Sequence, residues 1–283
     1  MKRTNSVITA LCGTLFLLGF HSCEKPLELF PSHGAEVTEI TFAARNTPST
    51  RVSVVSSMSS FNVLAATGSA GSQSNYWGSS ATATKSGDVY YTGKYWARTN
   101  PSITAFYASN AAMTFNAAGP TVTVDSGTDV VCAYLANPTF NDRNSLAFNH
   151  ILARIGTVTI NTQSGYTISG ISATLQGKVT SGTYNLRTGA WSGKGAGSNQ
   201  ALAISTSGSA NDIWLVPGTY TFAVTYTLTK GDYTETFNKS CSVTLVAGCT
   251  NNITTTAVGG NAGDITISVS IATWSGSDID AVL

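Results

Sequence analysis

Charged side chains are scarce in this sequence. Lys and Arg together number 15 and Asp and Glu number 14, so charged residues make up 10% of the 283 residues, against about 25% in typical soluble domains. The net charge is +1 and no run of Lys or Arg occurs, which excludes the electrostatic footprint of a nucleic-acid or anionic-membrane binder. Solubility must come from the abundant Ser, Thr, Asn and Gly, a composition that favours strands and turns.

Histidine is also rare, with three in the chain. Beyond residue 23 there are only His33, in a stretch without periodicity, and His150, in an apolar alternating segment where we expect a structural imidazole. Zinc ligation needs clustered His and Cys, and a Ser-His-Asp or Cys-His unit needs a supporting motif, and the sequence has neither. We predict no enzyme activity, cofactor or metal site. A carboxylate-dependent hydrolase stays open as an alternative, because paired carboxylates meet in space rather than in sequence.

Long apolar runs are missing after residue 20. The apolar run 7–20 follows Lys2 and Arg3. It is long enough for the h-region of a signal peptide but shorter than the roughly 20 residues that span a bilayer. Cys23 lies at its end, where a bacterial lipoprotein is cut and acylated. We predict a signal peptide over 1–22, lipidation of Cys23 and export from the cytoplasm; cleavage without acylation, with Cys23 incidental, is the alternative.

The other cysteines do not predict a disulfide framework. Cys241 and Cys249 are separated by SVTLVAG, which is typical of a strand. Eight residues along one strand span roughly 26 Å, whereas a disulfide tolerates at most about 7 Å between Cα atoms. These two can bond only if the chain bends sharply at Ala247-Gly248. We predict that Cys132, in VVCAYL, is a buried small apolar residue.

Hydrophobic alternation dominates the rest of the chain, with Gly, Asn and Ser breaking it about every ten residues, which is the pattern of a sandwich or barrel. A Pro-containing stretch without periodicity predicts a lipidated tether over 23–36. The polar segment NPTFNDRNS at 137–145 is the preferred domain boundary. We therefore predict an all-β protein with an N-terminal β-sandwich domain over 37–144 and a C-terminal one over 145–283.

Four segments carry the clearest strand patterns. EITFAA at 39–44 places Ile40, Phe42 and Ala44 on one face. LAFNHILARIGTVTI at 146–160 is the clearest strand pattern after EITFAA. Two long alternating segments on either side of Gly231-Asp232 predict a hairpin with a Gly-Asp turn.

Several segments, taken in order, resemble the fimbrillin-like subunits of type V pili. They are the lipoprotein start, EITFAARNTPSTR, FNHILARIGTVTI, the run from YTISGISATL to GTYNLRTGAW, VPGTYTFAVTY and DITISVSIATW. The resemblance implies two β-sandwich domains with a transthyretin-like strand order. It also implies an exported outer-membrane lipoprotein that becomes a structural subunit of a surface fimbria and serves adhesion, with other fimbrial subunits as partners.

The resemblance further implies assembly by strand exchange. An Arg-specific surface protease removes the first strand, and the terminal strand of a neighbouring subunit fills the groove that is left. Here Ile40, Phe42 and Ala44 would form the inward face of the removable strand. Arg51 is the preferred cleavage site and Arg45 the second candidate, with Pro48 between them favouring an accessible loop. The plain alternative is that both arginines are ordinary surface residues.

The C-terminus supplies a candidate donor strand. In IDAVL, Ile279, Ala281 and Leu283 alternate with Asp280 and Val282, so one apolar face could enter a neighbour's groove. Buried apolar side chains contribute roughly 1.5–3 kcal/mol each, so the backbone hydrogen bonds would have to supply much of the affinity. The alternatives are a frayed terminus, a strand paired within its own domain, or a tip or accessory subunit without a donor.

Aromatic residues in loops provide a competing hypothesis. Tyr76 and Trp77 lie in SNYWGSS and Trp191 in GAWSGKG, and loop aromatics often bind sugars or proteins. These residues would make the chain a surface glycan-binding lipoprotein that does not polymerise. By contrast, three tryptophans in or beside strand patterns are expected in the core, namely Trp96, Trp214 and Trp274.

Overall fold

The computed structural model describes residues 38–46, 58–97, 102–125 and 128–258, together with the backbone of 266–272. All regular elements in this part of the chain are β-strands. Within it, no helix is long and apolar enough to cross a membrane. The all-β class predicted from hydrophobic alternation is confirmed.

The first half of the chain forms one large sheet and part of a small one. Its strands are β1 (Glu39–Asn46), β2 (Ser60–Thr67), β3 (Ser74–Asn75), β4 (Ala81–Ser86), β5 (Val89–Tyr95), β6 (Ile103–Ser109), β7 (Met113–Thr114), β8 (Thr121–Val124), β9 (Val131–Ala136) and β10 (Asn144–His150). The large sheet has the order β3-β2-β4-β5-β1-β10-β9-β6, and β2 pairs with β6 as well. This last pairing closes β2, β4, β5, β1, β10, β9 and β6 into a ring of strands.

The interior of this ring, which we call the first core, is rich in aromatic side chains. Phe61 contacts both Tyr90 and Phe148, with ring centroids 4.7 and 5.0 Å apart. Trp96 packs edge-on against Phe106 with a centroid distance of 6.0 Å. Such tilted and edge-to-face pairs add to the free energy gained by burial alone. The alternation seen in the sequence has therefore placed the largest side chains inside.

The second half forms a two-sheet sandwich. Its strands are β11 (Ala153–Thr162), β12 (Thr167–Lys178), β13 (Gly182–Asn185), β14 (Trp191–Ser192), β15 (Ser198–Leu202), β16 (Ser209–Leu215), β17 (Gly218–Lys230), β18 (Tyr233–Leu245), β19 (Thr250–Ala257) and β20 (Thr266–Ala272). One sheet has the order β16-β11-β19-β20 and the other β15-β12-β17-β18. Side chains from both sheets meet in one buried cluster, the second core, which includes Ile155, Leu175, Phe222 and Ile253.

The predicted hairpin is present as β17 and β18. The two strands pair without interruption from Gly218↔Leu245 to Lys230↔Tyr233. Gly231 has φ +58° and Asp232 does not share this left-handed conformation, which fits a two-residue turn with Gly in its first position. Outward-facing threonines on the two strands pair through their hydroxyls, as in Thr227–Thr236 at 2.9 Å and Thr229–Thr234 at 3.2 Å. The outward-facing residues of the hairpin are thus uncharged and nearly all polar, while the inward face of β17 is apolar.

A small sheet combines strands from both halves of the sequence. Its order is β14-β13-β8-β7, and β8 meets β13 through pairs such as Val122↔Tyr184. Beneath it lies a third buried cluster, the junction core, that includes Leu64, Tyr107, Leu152 and Val216. The halves therefore share a core here, and the predicted domain boundary at 144/145 stays a prediction.

Three strand predictions need correction. The segment 146–160 is two strands, since β10 belongs to the large sheet and β11 to the sandwich, with the change at Ile151-Leu152. The first strand extends two residues beyond the predicted Ala44, so Arg45 lies inside β1 rather than behind it. Residues 250–257, which had no strand prediction, form β19.

Candidate functional site

The first strand fills a slot in the ring between β5 and β10. Ile40 and Phe42 are fully buried, and Ala44 packs partly buried against the same core. The ring of Phe42 meets Phe106 edge-on with a centroid distance of 4.9 Å and lies 6.3 Å from Phe61. The apolar face predicted for residues 40, 42 and 44 is therefore directed into the first core.

Both backbone edges of β1 are paired. It runs parallel to β10, in the register Phe42↔Asn144 to Asn46↔Phe148, and antiparallel to β5, with Phe42↔Tyr90. Parallel pairing of neighbouring strands requires a long connection, and here the partner follows about a hundred residues later in the chain. Strand β1, the first described strand, thus closes a ring whose other six strands all follow it in the chain.

Side-chain hydrogen bonds fix the beginning of β1. The hydroxyl of Thr92 donates to the carbonyl of Ile40 at 2.7 Å, and the backbone N–H of Gly93 donates to Oε1 of Glu39 at 2.7 Å. The N–H of Trp96 donates to the carbonyl of Thr38 at 2.9 Å. All three contacts come from β5 and the residue after it, so β5 sets the position at which β1 enters the ring.

The outward side of β1 is more open. Thr41 and Ala43 are half-buried and Arg45 is exposed, and Arg45 lies opposite Ala147 of β10 in the parallel register. Its peptide bonds are part of the β-ladder, so a protease could reach them only after this end of the strand had been lifted out. This favours Arg51 over Arg45 as a cleavage site, although Arg51 itself lies outside the described residues.

Other predicted site residues also fall outside the described part of the chain. They are the lipidation residue Cys23 and the donor-tail residues Ile279, Ala281 and Leu283. His33 and Trp274 are outside it too. These assignments stay predictions.

The aromatic residues proposed for ligand contact do not form one platform. Tyr76 and Trp77 are half-buried and pack against the first core, where Trp77 lies 5.9 Å from Phe106 between ring centroids. Trp191 packs against the junction core and lies 5.3 Å from Tyr184. Their apolar surface is used largely for local packing, and ligand contact by any of them stays a prediction.

The tryptophans expected in the core and His150 behave as structural residues. Trp96 is 2% exposed, and the half-buried Trp214 packs against both the first and the junction cores. His150 is buried, with its Nδ1 2.7 Å from Oδ1 of the buried Asp129. The imidazole predicted to be structural is thus buried at the end of β10 and paired with a carboxylate, and its role stays a prediction. Among the described residues, no group of three or more His, Cys, Asp or Glu could hold a metal ion.

The described cysteines are unbridged thiols. Cys241 lies inside β18 and Cys249 follows the turn after it, so the strand predicted between them is present. Cys132 is buried on β9, as predicted. Burial raises the pKa of the Cys132 thiol to about 12, which keeps it protonated and unreactive in the folded protein.

One aromatic residue that the sequence did not single out lies at a cavity. Tyr134 on β9 is 39% exposed and stacks on the buried Tyr107 of β6, with ring centroids 4.9 Å apart and planes 19° apart. The cavity beside it has a volume of about 730 Å³. Alternation in VVCAYLA places Tyr134 on the same face as Cys132. An aromatic residue near the end of an otherwise apolar strand is the sequence feature that could have indicated an exposed ring here.

Comparison with known proteins gives a family match over most of the chain. The family model described as fimbrillin-like matches residues 50–274. No curated protein matches the chain. Among solved structures, a proposed cell adhesion protein from Bacteroides uniformis is similar, with 18% identity and a TM-score of 0.48 over 84% of this chain and 98% of that one.

Two further solved structures are similar in the same way. A proposed cell adhesion protein from Bacteroides eggerthii has 12% identity and a TM-score of 0.49 over 86% of this chain and 97% of its own. A fimbrial assembly protein from Parabacteroides distasonis has 10% identity and a TM-score of 0.34 over 84% and 99%. The family assignment therefore rests on the match of the sequence to the family model.

Proposed function

Because the chain belongs to the fimbrillin-like family, we propose that it is a structural subunit of a cell-surface fimbria and serves adhesion without catalysis. The observation that carries the proposal is the position of β1. This strand is buried on one face and hydrogen-bonded along both edges, yet it joins the ring from the beginning of the chain. Because β1 precedes every other described strand, one cut behind it could release it without breaking the chain between the remaining strands of the ring.

Removal of β1 would leave a groove suited to another strand. The ring would open between β5 and β10, leaving two unpaired edges, and the positions of Ile40 and Phe42 would become an apolar slot beside Phe61 and Phe106. An extended segment that adds to such an edge gains affinity from backbone hydrogen bonds, while its alternate side chains set the register. A second subunit is the occupant we propose.

The donor in this scheme is the C-terminal tail. Ile279, Ala281 and Leu283 alternate as Ile40, Phe42 and Ala44 do, so the tail can present three apolar side chains to the slot. In this order the tail has Ala281 in place of Phe42 and Leu283 in place of Ala44, so it fills the position of the aromatic ring less completely than β1 does. Subunit exchange would therefore depend on removal of β1 rather than on displacement of it.

Release of β1 is assigned to an Arg-specific surface protease that cuts after Arg51. This cut leaves the whole of β1 on the released piece, together with the lipid at Cys23. Before it, Cys23 would hold the precursor on the outer membrane; after it, the subunit would be free to join a fibre. A single cut would thus release both the lipid anchor and β1 from the subunit.

The test is to trim the purified full-length protein with an Arg-specific protease and follow assembly. We expect a new N-terminus at Val52, followed by SDS-resistant ladders and filaments in electron micrographs. Arg51→Lys should prevent both, whereas the matched variant Arg45→Lys should behave like the wild type. Leu283→Asp should be cut normally and form no ladder, while Asp280→Asn should still form one. A protein that is cut completely after Arg51 and stays monomeric would refute the stalk-subunit assignment.

A further inference from the structure

The cavity beside Tyr134 lies at one end of the ring, where β2, β6 and β9 finish or begin. Its wall includes Tyr134, the buried Gln73, Thr104 and three exposed polar residues, Ser69, Ser102 and Asn137. The volume of about 730 Å³ lies within the range of roughly 300–1,000 Å³ that is usual for small-ligand sites. The cavity is formed by strand ends and short loops of the large sheet, away from the slot that β1 occupies.

Hydrogen bonds behind the exposed surface hold the tyrosine platform in place. The hydroxyl of Tyr107 donates to Oε1 of Gln73 at 2.7 Å, and the N–H of Gln73 donates to the carbonyl of Ala117 at 3.2 Å. Burial and the neighbouring Tyr134 raise the pKa of Tyr107 to about 12, so this hydroxyl stays a donor. Tyr134, stacked on Tyr107, is therefore a rigid aromatic surface.

The strand end next to the platform is fixed as well. The hydroxyl of Thr104 donates to the carbonyl of Gly68 at 2.9 Å, and the N–H of Asn137 donates to the carbonyl of Thr104 at 2.9 Å. Asn137 adopts φ +49°, a left-handed conformation that non-glycine residues rarely take outside tight turns or functional sites. Asn137 lines the cavity together with Tyr134.

The chemistry of the wall narrows the ligand class. Among the described residues that line the cavity none carries a charge, so phosphates, carboxylates and cations find no complementary group. Hydroxyls and amides both donate and accept hydrogen bonds. An aromatic ring packs well against an apolar face made of C–H groups. Neutral pyranose sugars combine such a face with a rim of hydroxyl groups.

We propose that this cavity, the Tyr134 cavity, binds a short neutral oligosaccharide, with one sugar ring on Tyr134 and its hydroxyls bonded by Gln73, Ser102 and Asn137. Two other cavities fit this ligand less well. The one on the outer face of β12, β17 and β18 has no aromatic residue in its described wall. In another, the hydroxyl of Tyr220 already donates to the carbonyl of Val216 and its ring is 9% exposed. The site does not depend on polymerisation.

The experiment measures binding of neutral oligosaccharides of glucose, galactose, mannose or N-acetylglucosamine to the full-length protein. Saturation-transfer NMR at 10 mM sugar identifies which oligosaccharide binds, because this concentration detects complexes with a Kd up to about 10 mM. Titration calorimetry then gives the Kd of that sugar. We expect Tyr134→Ala to weaken binding about tenfold or more and Tyr134→Phe to retain most of it. Tyr91→Ala is the matched control, because Tyr91 is similarly exposed, at 43%, on β5.

The outcomes separate clearly. Loss of binding in Tyr134→Ala alone, with unchanged thermal unfolding, supports the site. Equal weakening in Tyr134→Ala and Tyr91→Ala overturns it. Absence of any saturation transfer from the whole neutral panel at 10 mM overturns it too. None of these results bears on ladder formation after Arg51 cleavage, so the two proposals fail independently.

Discussion

The two halves of the molecule enclose their apolar cores with strand pairs of very different sequence separation. In the first half, the ring is completed by β1, whose partner β10 lies about a hundred residues further along the chain. In the second half, the longest pairing is the hairpin β17–β18, whose strands are joined by two residues. Local contacts are formed at a lower entropic cost than distant ones. The pairing of β1 with β10 therefore has a higher entropic cost than the hairpin. For this reason we expect β1 to be the strand that can be separated from the other strands of the ring.

The largest effect should come from truncating the side chain that β1 contributes to the first core. Phe42→Ala removes a fully buried ring and should lower the free energy of unfolding by about 3–5 kcal/mol, measured by urea denaturation. Thr41→Ala, on the half-buried opposite side of the same strand, should cost less than about 1 kcal/mol. Similar losses in the two variants would show that β1 is not held by its apolar face.

The same variant distinguishes the halves when amide hydrogen exchange is followed. Phe42→Ala should speed exchange in β10 while leaving β17 and β18 protected. Phe222→Ala, an equal truncation in the second core, should do the reverse. Equal loss of protection in both halves after either substitution would mean that the junction core joins them into one cooperative unit.

A middle-sized effect is expected where the two halves meet. Asp129→Asn replaces the carboxylate that lies 2.7 Å from Nδ1 of the buried His150, and should cost about 1–3 kcal/mol because a buried polar contact is impaired. Asp88→Asn, in the exposed turn between β4 and β5, should change stability by less than about 0.5 kcal/mol. Matching denaturation midpoints for the two variants would contradict a structural role for this pair.

A smaller effect tests the local closure of the second half. Gly231→Ala meets no atom within 4 Å at the new Cβ, so the cost is conformational alone, about 1–2 kcal/mol for a left-handed residue. Gly231→Asn should recover part of it, since Asn tolerates this conformation. Thermal unfolding would measure both. An alanine variant as stable as the wild type would show that the turn does not set the register of the hairpin.

The smallest effect concerns the outer face of that hairpin. In a double-mutant cycle of Thr227→Val and Thr236→Val, we expect a coupling of about 0.2–1 kcal/mol from the hydroxyl pair at 2.9 Å. The cycle is read from chemical denaturation of the four proteins. A coupling near zero would assign the stability of the hairpin to its buried face alone.

Much of the fold follows from local patterns in the sequence. EITFAA and the strand before Gly231 are strands in the structure because side-chain alternation indicates directly which face is buried. Alternation does not report sheet membership. In the segment 146–160 the residues Ile151, Leu152 and Ala153 are apolar in succession and all buried, and a short unbroken apolar stretch does not show that the chain changes sheet there.

Long-range features could not be obtained in this way. The parallel pairing of β1 with β10 and the closing contact of β2 with β6 join residues far apart in sequence, and no local pattern encodes them. Strand β19 was missed because Asn251 and Asn252 resemble a turn. In the structure, Asn251 is fully buried and its amide bonds the carbonyl groups of Arg154, Val246 and Cys249.

The candidate site was predicted in part for the same reason. Ile40, Phe42 and Ala44 were identified because they alternate, and they do face the first core. Tyr76, Trp77 and Trp191 were singled out because they lie among small polar residues, yet they pack on two different cores. Tyr134 was not singled out because its neighbours are apolar, and its exposure results from where β9 ends in the large sheet.

The threonine pairs on the outer face of β17 and β18 have a consequence for the environment in which the protein can work. Interactions between exposed ions weaken as ionic strength rises, because dissolved salt screens them over about 10 Å at 0.1 M. Hydroxyl pairs carry no net charge and do not titrate near neutral pH. We therefore expect the contribution of these threonine pairs to stability to change little with salt concentration or with pH near neutrality. The scarcity of charge on this face thus makes its stability insensitive to the ionic composition of the surroundings.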